Sequence, residues 1–183
     1  MRLVVRAAEF AARAHCRHRR KDVDETPYIN HLTHVAFLLA EAGCDAALVA
    51  AGYLHDTIED VDVSYETLHT EFGADVAELV LAVTDDRTLR WQEQKQAQID
   101  RAPHSTPRLA ALKLADKISN LCSLRDTPPH GWDQREIRKY VDWAHEVVTR
   151  LPAPNAMLMA EYEQIRAELL GRIGGSQWES NPP

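Results

Sequence analysis

The sequence predicts an all-α single domain. Apolar residues recur at helical spacing almost throughout, and no stretch shows the period-two alternation of a strand. Glycines and prolines punctuate the chain at intervals that suit helices of ordinary length. A chain of 183 residues builds one real core and would cramp a second.

Val5, Ala8, Phe10, Ala12 and Cys16 approximate one face of a first helix over about residues 3–18. Its basic end, Arg17 to Lys21, suits the helix dipole. Asp22–Pro27 reads as a loop, and a second helix over about 31–42 stops at Gly43. The third, about 45–57, is almost wholly apolar from Ala46 to Leu54, which predicts the central buried helix. Ser64 caps a short helix over about 64–71, Gly73 breaks it, and the next runs over about 74–84 to Thr84-Asp85-Asp86. A polar helix follows over about 91–101. Thr106-Pro107 then starts a long one over about 106–124, with Pro107 in its first turn. Pro128-Pro129 turns the chain into two last helices, about 133–150 and 155–172. The folded unit is expected over residues 1–173 and a disordered tail over 174–183.

The composition, 45% hydrophobic and 27% charged, is that of an ordinary globular protein. A net charge of −7 argues against non-specific nucleic-acid binding, so an anionic ligand needs a local basic cluster. Cys16, Cys44 and Cys122 form no CxxC pair, which leaves no disulfide framework or zinc knuckle and suits a reducing, cytoplasmic setting. Charges interrupt the first residues as they would not in a signal peptide. No apolar stretch is long enough to span a membrane, so no membrane partner is expected.

The chemistry concentrates in His55-Asp56-Thr57-Ile58-Glu59-Asp60. Two metal-ligand side chains precede two carboxylates by one helical turn, a layout suited to metal-assisted hydrolysis of a phosphate ester. Helical neighbours point about 100° apart, so His55 and Asp56 can share an ion only at a helix end or bend. His31 upstream and Asp116 downstream offer a third and a fourth ligand. Such a mixed nitrogen and oxygen set suits Mn²⁺, Fe²⁺ or Zn²⁺. Each fragment alone also has a plainer explanation. His55-Asp56 can be an incidental helix end, and Arg20-Lys21 either a solvated basic terminus or a phosphate clamp. Lys113 and Lys117 around Asp116 can be a surface charge pattern. Yet Leu112, Leu114, Ala115 and Ile118 make that stretch apolar, where a lone carboxylate is costly. His34, three residues after His31, reads as a packed or supporting histidine rather than a ligand, and Tyr140 and Trp143 read as core. His15 and His18 have no evident partners.

Together the fragments resemble the HD-domain hydrolases of the RelA/SpoT group, most of all their small single-domain members. The matching stretches are Arg19-Arg20-Lys21-Asp22, Thr26-Pro27-Tyr28-Ile29-Asn30-His31, Leu54 to Asp60, Phe72-Gly73-Ala74, Val83-Thr84-Asp85-Asp86, Ala102-Pro103-His104-Ser105, and Lys113-Leu114-Ala115-Asp116-Lys117 through Asn120. The resemblance implies a compact all-α HD domain. It also implies an alarmone hydrolase that removes the 3′-pyrophosphate of (p)ppGpp, giving GDP or GTP and pyrophosphate, usually with Mn²⁺. By matching position, His31, His55, Asp56 and Asp116 would bind the metal. Glu59 and Asp60 would position and deprotonate water or assist the leaving group. Arg20 would pack on the guanine, Lys21 would contact phosphate, and Tyr28, Lys113 and Asn120 would complete the nucleotide pocket. The long members carry a synthetase domain beyond the point where this chain ends, so hydrolysis alone is expected. The implied partner is a small nucleotide, and the oligomeric state is left open. Two readings stay beside this one: a phosphatase for another 2′- or 3′-phosphorylated nucleotide such as NADPH, and a nucleotide-sensing module that does no chemistry.

The chain also differs from the group. His31-Leu32-Thr33-His34 stands where small members often carry His-Pro-Ile-Gly, and Cys122 where a polar or basic residue is usual. The basic pattern over 93–98 is reduced to Lys95. The last two differences predict a weaker grip on phosphate.

Overall fold

In the computed structural model, which describes residues 1–174, the all-α expectation is borne out. The helices are α1 (Arg2–Ala14), α2 (Ile29–Glu41), α3 (Ala46–Leu54), α4 (Thr57–Val61), α5 (Tyr65–Phe72), α6 (Ala74–Val83), α7 (Trp91–Arg101), α8 (Pro107–Asp126), α9 (Gln134–Val148) and α10 (Ala156–Gly174). A 3-10 turn, Ala102–His104, joins α7 to α8. No strand occurs among the described residues, which hold only the isolated bridges Arg19–Pro27 and Asp22–Pro129. The expected tail lies, past Gly174, outside the described residues.

The helix starts follow from side chains that satisfy free backbone N–H groups. Asp45 accepts from Ala47 and Leu48, Ser64 from Thr67, Thr106 from Leu109, and Asp133 forms a capping box with Glu136. Gly43 (φ 71°) and Gly73 (φ 88°) end helices in conformations that side chains resist.

The first helix corrects two expectations. It ends at Ala14 rather than near residue 18, and its inner face is Leu3, Ala7, Ala11 and the buried His15 of the turn that follows. Those positions step by four, whereas Val5, Ala12 and Cys16 are exposed. The small alanines let α1 lie close on α3.

Two helices organise the core. Leu48, Val49, Ala50, Ala51, Gly52 and Leu54 bury α3, which packs against α1, α2, α6 and α8. Eleven of the 20 residues of α8 are buried, and it packs against α2, α3, α6, α9 and α10. The apolar stretch of α3 does not run to residue 57. The chain leaves the helix at His55, Asp56 takes φ −98° and ψ 2°, and α4 restarts at Thr57. The Thr57 hydroxyl donates to the freed Leu54 carbonyl at 2.6 Å, so the break leaves no orphaned group there.

Gly52 fixes the approach of α3 to α2. A Cβ there would meet Leu39 Cδ1 at 2.9 Å and the Ala36 Cα at 3.1 Å. Replacing Gly52 with alanine should therefore push two core helices apart at a cost of about 1–3 kcal/mol. Thermal unfolding should show a midpoint lower by several degrees. An unchanged midpoint would mean that the contact is not tight.

Candidate active site

Three separate elements deliver the ligand-type side chains. His31 comes from the first turn of α2, His55 and Asp56 from the break after α3, and Asp116 from the middle of α8. His55 Nε2 lies 3.1 Å from Asp56 Oδ2 and 3.7 Å from Asp116 Oδ1. His31 Nε2 lies 3.6 Å and 3.4 Å from the same two oxygens. One ligand atom from each of His31, His55 and Asp116 falls within 4.8 Å of the others. Donor atoms about 2.1 Å from a shared ion sit about 3.0 Å apart in an octahedron and about 3.4 Å apart in a tetrahedron. The observed spacings match a cation's coordination edges.

The surrounding hydrogen bonds orient this cradle. His55 Nδ1 donates to the Gly52 carbonyl at 2.9 Å, which turns Nε2 toward the two carboxylates. That Nε2 is fully buried and finds no well-aligned hydrogen-bond partner despite its short distance to Asp56. His31 Nδ1 meets the Ser119 hydroxyl at 2.9 Å, and His34 Nδ1 meets the same hydroxyl at 3.1 Å. Asp116 accepts from Lys117 Nζ at 2.8 Å and from Asn120 Nδ2 at 2.7 Å. Tyr28 donates to Asp56 at 2.8 Å.

The charges follow from these contacts. Burial opposes a charged His55, but Asp56 and Asp116 outweigh it and hold its proton well above the usual imidazole range. Burial likewise works against an ionised Asp116, yet Lys117 and both imidazoles keep it well below the carboxylate range. A divalent cation takes the place of such a proton, and the donor set fits one.

Glu59 and Asp60 lie on α4, one turn beyond the cradle. Glu59 accepts from the Asp85 N–H at 3.0 Å, and burial, with the nearby Asp56 and Asp85 charges, pushes its carboxyl up to about 7. Asp60, at the exposed rim, is also raised, by desolvation and by Asp56. His18 Nδ1 approaches it at 3.8 Å.

Two cavities meet at the cradle. The smaller, about 180 Å³, is lined by His55, Asp56, Glu59, Asp116 and three lysines, Lys95, Lys113 and Lys117. The larger, about 390 Å³, is lined by Arg20, Asn30, His31, His34, Ser119 and Cys122 among others. Arg20 joins them by donating to Asn120 at 3.1 Å, with its guanidinium 5.6 Å from the Tyr28 ring centroid. Burial lowers Lys95 and Lys113 to about 8, so near neutral pH both remain predominantly cationic.

Of the residues singled out in the sequence, Arg20 and His31 line the larger cavity, and Tyr28, His55, Asp56, Glu59, Lys113, Asp116 and Asn120 the smaller. Lys21 and Asp60 are exposed and line neither; of Lys21 only the backbone carbonyl is engaged, by the His130 N–H. His34 supports Ser119 rather than joining the cradle. Sequence reasoning missed several neighbours. Tyr140, read as core, lines the smaller cavity, and Lys95, read as the remnant of a weakened pattern, is one of its three cations. His15 and His18 stack with Tyr28, the His18 and Tyr28 ring centroids 3.9 Å apart. Ser119, three residues after Asp116 on the same helix, was the available signal for support behind a ligand.

Comparison with known proteins follows the same lines. The HD-domain family profile matches residues 7–143. The human guanosine-3′,5′-bis(diphosphate) 3′-pyrophosphohydrolase MESH1 is 45% identical over 85% of this chain and 88% of its own length. The Xenopus tropicalis protein of the same name is 41% identical over 89% and 92%. A solved structure, described as a metazoan orthologue of SpoT that hydrolyses ppGpp and plays a role in starvation responses, superposes with a TM-score of 0.87 at 39% identity. It covers 92% of this chain and 96% of that one.

Ser119 generates a direct expectation. With alanine there, His31 loses the partner that orients its ring. Affinity for Mn²⁺ should fall by roughly ten- to a hundredfold, as measured by calorimetry. Unaltered affinity would show that packing alone aligns His31.

Proposed function

The chain belongs to the HD-domain family, and from that premise we infer that it is a guanosine-3′,5′-bis(diphosphate) 3′-pyrophosphohydrolase. One observation carries the reading. A cradle of two buried imidazoles and two part-buried carboxylates opens into a cavity lined by three lysines and adjoins a second cavity lined by Arg20 and Arg125. The lysine-lined cavity suits the phosphates of a polyanionic nucleotide beside one reactive centre.

The proposed ligands are His31, His55, Asp56 and Asp116, and the proposed ion is Mn²⁺, with Fe²⁺ or Zn²⁺ also compatible with a nitrogen and oxygen set. A divalent cation held there supplies positive charge against phosphoryl oxygens and acidifies water. The remaining work falls to the chain. Lys95 and Lys113 face the phosphates from the smaller cavity. Lys117 is committed to Asp116, which leaves the second oxygen of that carboxylate toward the imidazoles. Arg20 offers a flat cation to the purine, and Asn120 holds both Arg20 and Asp116. Tyr28 steadies Asp56. Lys21 is proposed to meet phosphate from the exposed rim.

Breaking the 3′ ester takes one proton from the attacking water and returns one to the departing ribose oxygen. Glu59 is proposed to take the first, since a carboxyl raised to about 7 is matched to accept a proton near neutral pH. Asp60 is proposed to help orient the water or the leaving oxygen. The net charge of −7 supports a small-molecule partner over nucleic acid. No helix among the described residues is long and apolar enough to cross a membrane. The unpaired cysteines are consistent with the proposed cytoplasmic setting.

Incubating the Mn²⁺-loaded protein with ppGpp should give GDP and pyrophosphate, and a chelator should abolish both. Glu59→Gln should lower kcat by roughly a hundredfold or more while bound metal is unchanged. Turnover of NADPH without any from ppGpp would contradict the substrate. An active Glu59→Gln protein would contradict the proton acceptor.

A further inference from the structure

Lys95 and Trp143 form an arrangement that the metal and water chemistry does not use. The Lys95 ammonium lies 3.9 Å from the centroid of the Trp143 ring. The same indole donates its Nε1–H to the Lys95 backbone carbonyl at 3.1 Å. A residue on α9 thus holds both the main chain and the charged tip of a residue on α7. Trp91 adds a second ring 5.6 Å from that ammonium, and Tyr140 packs edge-on against Trp143 at 5.2 Å.

The contrast with Lys117 shows what this arrangement achieves. Lys117 also lies near the Trp143 ring, at 4.7 Å, but its charge is spent on Asp116. Among the described residues Lys95 makes no such ion pair. An aromatic face attracts a cation without cancelling it, whereas a carboxylate removes the net charge. A desolvated lysine held on an indole therefore keeps its positive charge and its N–H donors for an incoming anion. The support matters here, because burial and the neighbouring Lys117 both work against the charge on Lys95.

Resting on the reading of the smaller cavity as the phosphate side of the site, we propose that Trp143 is a positioning residue that presents Lys95 to the substrate's phosphates as an un-neutralised cation. Trp143 touches neither the reacting atoms nor the proposed metal, so its loss should weaken binding and leave the chemical step in place.

The test compares wild type, Trp143→Leu, Trp143→Phe, Lys95→Met and the Trp143→Leu/Lys95→Met double variant, all Mn²⁺-loaded. Trp143→Leu should raise the KM for ppGpp by roughly five- to thirtyfold, from the usual strength of such contacts, with kcat within about threefold and metal content unchanged. Trp143→Phe keeps an aromatic face and should recover part of the loss. The double variant should be no worse than Lys95→Met alone, since the two residues act as one unit. A KM effect that multiplies in the double variant would overturn the proposal. So would equal defects in Trp143→Leu and Trp143→Phe, as a purely structural tryptophan would give.

Calorimetric binding of inorganic pyrophosphate separates this inference from the substrate reading. Pyrophosphate affinity that falls in Trp143→Leu, in a protein inert toward ppGpp, supports the role of Trp143 while overturning the proposed substrate. Unchanged pyrophosphate affinity in Trp143→Leu overturns the role of Trp143.

Discussion

Two carboxylates, Asp56 and Asp116, face two buried imidazole nitrogens in the centre of an apolar helical domain, and much of the site's design answers that constraint. Buried charge is tolerated only when it is paired and hydrogen-bonded. Lys117 and Asn120 serve Asp116, Tyr28 serves Asp56, Ser119 serves His31, and the Gly52 carbonyl serves His55. The Gly52 carbonyl turns His55 Nε2 toward the carboxylates, and Lys117 takes the Asp116 oxygen that faces away from the imidazoles. Without a cation His55 tends to hold a proton among these carboxylates, and with one the cluster forms a ready ligand set.

The backbone meets the same demand. An unbroken α3 would send His55 and Asp56 in different directions, as neighbours on a helix must. The break at Asp56 brings both to the cradle, and the restart at Thr57 carries Glu59 to the smaller cavity and leaves Asp60 exposed beside it. Thr57 keeps the break inexpensive by satisfying the Leu54 carbonyl. α8 works the other way. It runs unbroken through the core, so Lys113, Asp116, Lys117 and Asn120 share one face at spacings of three and four.

These features explain what was legible in the sequence. Caps and breakers such as Gly43, Ser64, Gly73 and Pro107 act locally, so most of the helices could be read. Asp116 stood out because a carboxylate in an apolar helical stretch needs a reason, and His55-Asp56 because two ligand-type residues precede two carboxylates by one turn. The inner face of α1 was misplaced because its key residues are alanines, which carry little apolar signal against Val5 and Cys16. Lys95, Tyr140 and Trp143 were undervalued for another reason. Their importance arises only when α7 and α9 pack together, and no spacing along the chain records that contact. His18 was opaque in the same way, since its partners Tyr28 and Asp60 lie on other segments.

The two lysine environments give the site a division of labour. Lys117 balances the cradle, while Lys95 and Lys113 remain available to an anion. The proposed chemistry depends on the cradle holding an ion. The most direct measurement is the electron paramagnetic resonance of Mn²⁺ titrated into metal-free protein, beside the His55→Ala variant. One tightly bound Mn²⁺ per chain is expected in the wild type, with loss of that site in the variant. Absence of a tight site in the wild type, or an equally tight one in His55→Ala, would contradict the proposed chemistry.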